Sequence, residues 1–350
     1  MKTECTKYTI VINEWDTLKK DILRINPSAT FVLVDENTEK YCLHHFLDHT
    51  DIPVKIIRIP SGEIHKNIRT CELVWDSLIR ENADRHSLLI NLGGGVIGDL
   101  GGFCAATYMR GIRFIQMPTT LLSQVDASVG GKLGIDYGGY KNMIGLIKNP
   151  EGVYIFTDFL KTLPYEHLRS GFAESLKHGL IADRKTWEEL SAQKDLTQLD
   201  FERLVYNSVN IKKSVTESDP FEKGWRKILN FGHTIGHAVE SYWLEKNEPI
   251  LHGDAIAIGM ISEAYLSYRM GKISEEELFD IRNAILRLYG HHPRMVKPRN
   301  EILRKMQHDK KNHNGSIQFA LLDSLGHAYY DAPVDDMAIA ESLFFYEEKM

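Results

Sequence analysis

Apolar residues in the first half of the chain fall into short blocks separated by helical spacings. Phe31–Val34, Val54–Ile59, Leu88–Leu92, Phe114–Met117 and Val153–Phe156 are mainly apolar runs of strand length. Such runs predict buried strands. Between the second and third, Ile68, Cys71, Trp75, Leu78 and Ile79 recur at helical spacing. Strands alternating with helices predict a largely parallel sheet with helices on its faces. From about Tyr165 the texture changes. Asp200–Thr216, Asp254–Met270 and Ser274–Leu288 carry helical patterns, and Ser316–Leu322 with Gly326–Tyr330 reads as a hairpin. The predicted class is α/β: a Rossmann-like parallel-sheet domain over 1–162, then a mostly α-helical domain over 163–350. A cleft between two such domains is a favoured place for a ligand.

Composition narrows the function classes. The chain has 350 residues, enough for two domains and a sizeable core. Its 43% apolar and 26% charged content is that of an ordinary soluble globular protein. A net charge of -6 gives no nucleic-acid footprint. The four cysteines, Cys5, Cys42, Cys71 and Cys104, form no CxxC pair, which favours reduced thiols in a cytoplasmic protein. The opening MKTECTKYTIVINEW has no long apolar stretch, so no secretory signal is expected. No run of 18 apolar residues occurs, so no membrane span is expected either.

Two segments carry nucleotide or anion chemistry. Gly93-Gly94-Gly95-Val96-Ile97-Gly98 follows a predicted strand, opens a predicted helix and fits GxGxxG. Glycines let the backbone approach a pyrophosphate, and the helix start supplies N–H donors. Alone, the motif also describes an ordinary tight turn. Asp35, at the end of an earlier strand, is placed where an adenine-side ribose is often held. The loop does not follow the first strand, as a standard fingerprint does, which predicts a related fold with different wiring. Downstream, Tyr108-Met109-Arg110-Gly111, Pro118-Thr119-Thr120, Asp126, Gly130-Gly131-Lys132 and Lys141-Asn142 crowd together. Cations among glycines suit an anionic ligand. Any one of these lysines alone is better read as solvated surface.

A third group has metal-ligand character. Glu174 lies in GFAESLKHG, His233 and His237 in NFGHTIGHAVE, and His252 in LHGDAIAIGM. Small residues around each histidine let a helix start or another backbone come close. One carboxylate and two imidazoles are a common protein set for catalytic zinc, with a fourth position open. His233 and His237 are four apart and share a helix face, so both could bind metal, or one metal and the other substrate. HTIGH lacks the glutamate of HExxH, which argues against a zinc protease. Lys177 falls one helical turn from Glu174. Lone histidines such as His44, His45, His291, His292 and His327 are read as structural.

Taken together, these segments resemble the 3-dehydroquinate synthase family of the sugar phosphate cyclase superfamily, over roughly Asp35 to Tyr330. The resemblance rests on SGEIHK, GGGVIGDLGGFCAATYMRGIRFIQMPTTLLSQVDASVGGK, KNMIG, FLKTLP, GFAESLKHG, GWRKILNFGHTIGHAVES, LHGDAIAIGM and MQHDKKNHNGSIQFALL. It implies that Glu174, His233 and His252 bind Zn²⁺, with Co²⁺ as an alternative. It implies NAD⁺ held against Asp35, Asn37, Glu63, Lys66, Gly95 and Asp99. Thr119, Thr120, Asp126, Lys132, Lys141, Phe159 and Thr162 complete that set. It gives the substrate's phosphate and carboxylate to Arg110, Lys132, Asn142, Lys177 and Lys212, and to Arg226, Asn230, His237 and Lys310 or Lys311. It also implies a homodimer, with the Arg110 position reaching a neighbouring subunit's site.

The implied activity is that of a carbon–oxygen lyase acting on phosphate. It converts 3-deoxy-D-arabino-heptulosonate 7-phosphate to 3-dehydroquinate and phosphate, in the shikimate route to aromatic amino acids. Transient oxidation by NAD⁺, phosphate elimination, re-reduction and intramolecular aldol closure follow in one site. Where the family commonly reads GGKTG followed by Asn, this chain has Leu133 and Asp136, and Tyr140 stands where Gly is frequent. The competing readings are another sugar phosphate cyclase, a metal-dependent polyol or glycerol dehydrogenase of related fold, and a non-catalytic ligand sensor. The group of Lys132, Lys141, Arg226 and the DKK run argues against the dehydrogenase, which needs few cations.

Overall fold

The computed structural model describes residues 1–5, 8–138, 140–307 and 317–348. It contains two compact units. The first comprises Met1–Pro164 and Asp200–Glu217, the second Tyr165–Leu199 and Ser218–Met350.

The first unit is built on β1 (Lys2–Glu4), β2 (Thr9–Ile12), β3 (Thr30–Val34), β4 (Lys55–Arg58), β5 (Leu88–Gly93) and β6 (Arg113–Pro118). After an antiparallel hairpin, β7 (Lys132–Tyr137) and β8 (Tyr140–Ile147), comes β9 (Gly152–Ile155). The main sheet has seven strands in the order β1-β2-β9-β6-β5-β3-β4. Only β1 runs antiparallel to its neighbour. All five strands expected from apolar runs are present. β3, β5 and β9 are buried along their whole length, which is why they read as continuous apolar runs rather than alternating ones.

Side-chain alternation splits the core into two layers. Phe31 and Leu33 pack on one face with Cys71, Val74 and Leu78 of helix Ile68–Arg80 and with Ile97 and Leu100 of helix Gly95–Thr107. Val32 and Val34 pack on the other face with Leu18 and Ile22 of helix Trp15–Ile25. The Gly95 helix lies close on β5: a Cβ at Gly101 would sit 2.1 Å from Asn91 Oδ1.

The single boundary expected after residue 162 describes only part of the division. The units part at Pro164/Tyr165, and helix Phe201–Ser218 brings residues back to the first unit. Polar contacts accompany that return. Thr3 Oγ1 donates to Asn210 Oδ1 (3.1 Å), Asn13 Nδ2 to Glu202 Oε2 (2.9 Å) and Lys212 Nζ to the Asp126 carbonyl (2.7 Å). An apolar stripe shows which helix face is buried, not what covers it.

The second unit is mainly helical. Helices Tyr165–Ala182 and His252–Arg269 are buried on nearly every face, the mark of core helices. Helix His233–Glu245 packs on the latter. Helix Glu275–Tyr289 opens on a capping box: Ser274 Oγ accepts from the Glu277 amide while Glu277 accepts from the Ser274 amide. β10 (Ile317–Ser324) and β11 (His327–Val334) form the expected hairpin. Among the described residues no helix is long and apolar enough to cross a membrane.

Candidate functional site

In the second unit, three helices deliver the metal-type side chains to one point. Glu174 sits mid-way along helix Tyr165–Ala182. His233 and His252 are the first residues of their helices. Glycine makes the approach possible. A Cβ at Gly253 would lie 2.1 Å from the Ser170 carbonyl, and one at Gly259 would lie 1.9 Å from the Gly232 carbonyl. Glu174 Oε1 then lies 3.4 Å from His233 Nε2 and 3.4 Å from His252 Nε2. Tetrahedral zinc with bonds near 2.0–2.1 Å places its ligand atoms about 3.3 Å apart. The donor set therefore fits a tetrahedral divalent cation in chemistry, and both carboxylate–imidazole spacings match one. His233, His237 and His252 also present ring nitrogens within 4.8 Å of one another, so His237 borders the same point.

The outer partners favour Nε2 as the ligand atom on both histidines. His252 Nδ1 lies 3.3 Å from Glu240 Oε2, and His233 Nδ1 lies 3.1 Å from the Phe231 carbonyl. Acceptors at Nδ1 fix the tautomer and ring orientation. Burial and the nearby Lys177 hold His233 well below its ordinary range, hence neutral. Burial also opposes charge on His252, but Glu240, with help from Glu174, outweighs it and lifts the group to about 9. Glu174 is fully buried and ion-paired through Oε2 with the equally buried Lys177. Arg226 is buried at 2% exposure and donates from Nη1 to the Pro220 carbonyl (2.9 Å). Asn230 Nδ2 donates to Glu222 Oε1 (2.9 Å).

In the first unit, the sheet order creates the second candidate locus. β3 pairs with β4 on one side and β5 on the other, so the winding reverses there. Nucleotides bind at the carboxyl ends of strands flanking such a switch point. Asp35 follows β3, Gly94 and Gly95 follow β5, and Thr119 and Thr120 follow β6. This accounts for a glycine loop that is not on the first strand. Gly94 is the N-cap of the Gly95 helix, with no side chain to cap it. Asp35 caps a short turn of its own, accepting from the Thr38 amide (2.8 Å), and Asn37 follows it on that turn.

The buried Lys66 donates to Asp99 Oδ2 and to Asn142 Oδ1, each at 2.6 Å. Burial alone would lower the Lys66 ammonium, but Asp99 and Glu63 raise it to about 12. Lys141 Nζ lies 3.5 Å from Glu63 Oε1, and Lys212 Nζ lies 2.6 Å from Asp126 Oδ2. Phe159 is buried in the core, edge-on to Phe156, and Thr162 Oγ1 donates to its carbonyl. Lys132 and Arg110 are exposed. Met109 and Arg110 both take left-handed φ, at 49° and 70°, strain of the kind found at functional corners. Lys310 and Lys311 lie outside the described residues.

The departures from the family's wording have local explanations. Leu133 is buried against the Gly95 helix, where a Cβ at Gly102 would lie 2.4 Å from its Cδ2. Asp136 Oδ1 accepts from the Asn142 amide (2.8 Å), and its own amide donates to the Lys66 carbonyl (2.8 Å). Asp136 thus ties the hairpin to the Lys66 cluster. Glu240 was not singled out from sequence. Its signal is its place two helical turns after His233, on the same face.

Comparison with known proteins gives the following. Residues 56–170 match the family described as 3-dehydroquinate synthase N-terminal, and residues 171–312 that described as 3-dehydroquinate synthase C-terminal. A 3-dehydroquinate synthase of Parabacteroides distasonis is 42% identical over 325 residues, 91% of either chain. One from Streptococcus pyogenes is 41% identical over 291 residues, 81% of this chain and 80% of its own. The crystal structure of 2-deoxy-scyllo-inosose synthase complexed with carbaglucose-6-phosphate, NAD⁺ and Co²⁺ superposes with a TM-score of 0.86 at 24% identity. It spans 98% of this chain and 99% of that one. That likeness is one of fold.

Proposed function

Because the chain belongs to the 3-dehydroquinate synthase family, we propose that it converts 3-deoxy-D-arabino-heptulosonate 7-phosphate to 3-dehydroquinate and phosphate. The observation that carries the chemistry is the buried Glu174 carboxylate, set 3.4 Å from two imidazole nitrogens and paired with a buried lysine. Glu174, His233 and His252 hold the divalent cation, Zn²⁺ or Co²⁺. NAD⁺ lies along the carboxyl ends of β3, β5 and β6, against Asp35, Asn37, Glu63, Lys66, Gly95, Asp99, Thr119 and Thr120. When bound, the metal supplies a Lewis acid and the dinucleotide a reversible hydride acceptor.

The chain's own residues supply position and charge. Lys177 pairs with Glu174, offsets the carboxylate and attracts a substrate anion. Arg226, Asn230 and His237 in the second unit bind further substrate oxygens. The first unit's own candidates for holding anions are Lys132, Asn142 and Lys212, and Lys66 sets Asn142 by hydrogen bond. Asp126, Lys141, Phe159 and Thr162 belong to the dinucleotide side. Several steps share one site, so holding a multiply charged substrate in one orientation is the protein's main contribution. The active form is a cytoplasmic homodimer in which the strained corner at Met109–Arg110 presents Arg110 to a second copy. The unit of Met1–Pro164 with Asp200–Glu217 takes the dinucleotide, and the unit of Tyr165–Leu199 with Ser218–Met350 takes the metal.

The test is phosphate release from the purified protein with NAD⁺, Zn²⁺ and the heptulosonate phosphate, with NADH absorbance followed in parallel. Phosphate without accumulating NADH is the expected result. Steady NADH from a simple polyol without phosphate would move the chain to the dehydrogenases.

A further inference from the structure

Glu263 is a fully buried carboxylate, on helix His252–Arg269, that the chemistry above does not use. Its Oε2 accepts from the Gly232 amide at 2.6 Å and its Oε1 from the Ile235 amide at 3.0 Å. Those amides bracket His233. Helix His233–Glu245 begins at an unusual place. Its N-cap is Gly232, in the left-handed region at φ 78°, with no side chain to cap the first turn. The first amides of a helix have no partner within it, and a buried start without a capping side chain leaves them to be satisfied from elsewhere. Here the neighbouring helix supplies the acceptor. Gly259, one turn before Glu263, admits the Gly232 carbonyl on the same face. The negative charge also meets the positive end of the helix dipole.

We infer that Glu263 is a positioning residue for the metal centre: it clamps the start of the His233 helix and so fixes where His233 Nε2 stands relative to Glu174. The clamp is preorganised, because the Gly232 and Ile235 amides that it holds are main-chain donors and neither bond needs the metal. It rests on the reading of His233 as a ligand. Glutamine at this position offers one acceptor oxygen and turns an NH₂ toward an amide donor. One of the two bonds is therefore lost, while the packing volume is kept.

The test begins with Glu263→Gln, assayed for zinc affinity by competition with a chromophoric chelator and for the visible spectrum of the Co²⁺-loaded protein. The expected result is a folded protein whose zinc dissociation constant rises about 10–100-fold, the range for lost outer-sphere support, with altered cobalt bands. A lower Tm with unchanged zinc affinity and cobalt spectrum would overturn the inference. It would show that Glu263 serves stability alone. Should the variant not fold, hydrogen exchange on the wild type decides. The Gly232 and Ile235 amides should be as protected in metal-free protein as with zinc. Free exchange until zinc is added would mean that the metal orders this turn, and the clamp fails. A wild type that takes up no zinc would sink the ligand reading, while the amide measurement still decides the clamp.

Discussion

The two units build their loci in opposite ways. The first offers main chain: strand ends at a switch point and a helix that starts on glycine. Beside it is a buried lysine, Lys66, balanced by Asp99. The second offers side chains from three helices, drawn together where glycines admit a neighbour's backbone. At its centre is a buried carboxylate, Glu174, beside Lys177 and two imidazoles. A nucleotide phosphate is met by N–H groups that strand and helix starts supply automatically. A metal needs specific donors at set distances, so that site depends on helix packing accurate to a fraction of an ångström. Disturbing helix contacts should therefore harm the second locus more than the first.

The largest effect is expected from His252→Ala. Zinc content, measured on the purified variant, should fall to near zero and phosphate release to background, while NAD⁺ binding to the first unit persists. Normal turnover in a metal-analysed sample would remove His252 from the ligand set. Next comes Gly259→Ala, which touches no proposed ligand. The added methyl group meets the Gly232 carbonyl at 1.9 Å, so the two helices must part. Overpacking of this kind costs about 1–3 kcal/mol. Thermal melts should show the lower stability, and zinc affinity should fall with it. Loss of stability with undiminished zinc affinity would break the link between helix contact and site.

The same contrast explains what could be read in the sequence. The first locus was legible because its parts are local: a strand run, then Gly93–Gly98, then a helix. The strands expected there all formed. β1, β2 and the β7–β8 hairpin were not anticipated. β1 is short, and in the hairpin Gly134 faces Gly145 in a stretch whose glycines and lysines read as a loop. Glu174, His233, His237 and His252 could be nominated by residue type and small neighbours, and only the family resemblance chose among the histidines. Their convergence depends on tertiary packing that no local pattern encodes. Glu240 and Glu263 were missed for the same reason. A glutamate on a helix reads as solvent-facing until the neighbour that buries it is known. Likewise, the pattern of Phe201–Ser218 showed a helix but not which unit it joins.

A gentler probe of the second locus is Glu240→Gln. It keeps the shape but removes the charge 3.3 Å from His252 Nδ1. Zinc affinity should fall about 10–100-fold, with little change in Tm. No change in affinity would mean that the ring is oriented by packing alone.

The smallest effect tests the first unit's balance of charge. Burial works to discharge Lys66, while Asp99 and Glu63 work to keep it charged and prevail, lifting it to about 12. A lysine raised on folding contributes stability that is complete below its unfolded value of about 10.4 and is lost as pH rises through the folded one. The difference in Tm between wild type and Lys66→Met should therefore stay constant from neutral pH to about 10 and shrink only above that. Thermal melts across that range measure it directly. A difference that narrows between neutral and mildly alkaline pH would show that burial defeats the carboxylates. The first unit would then depend on a bound ligand to settle its buried charge, as the second would on the proposed metal, and the contrast between the two loci would narrow to one of main chain against side chain.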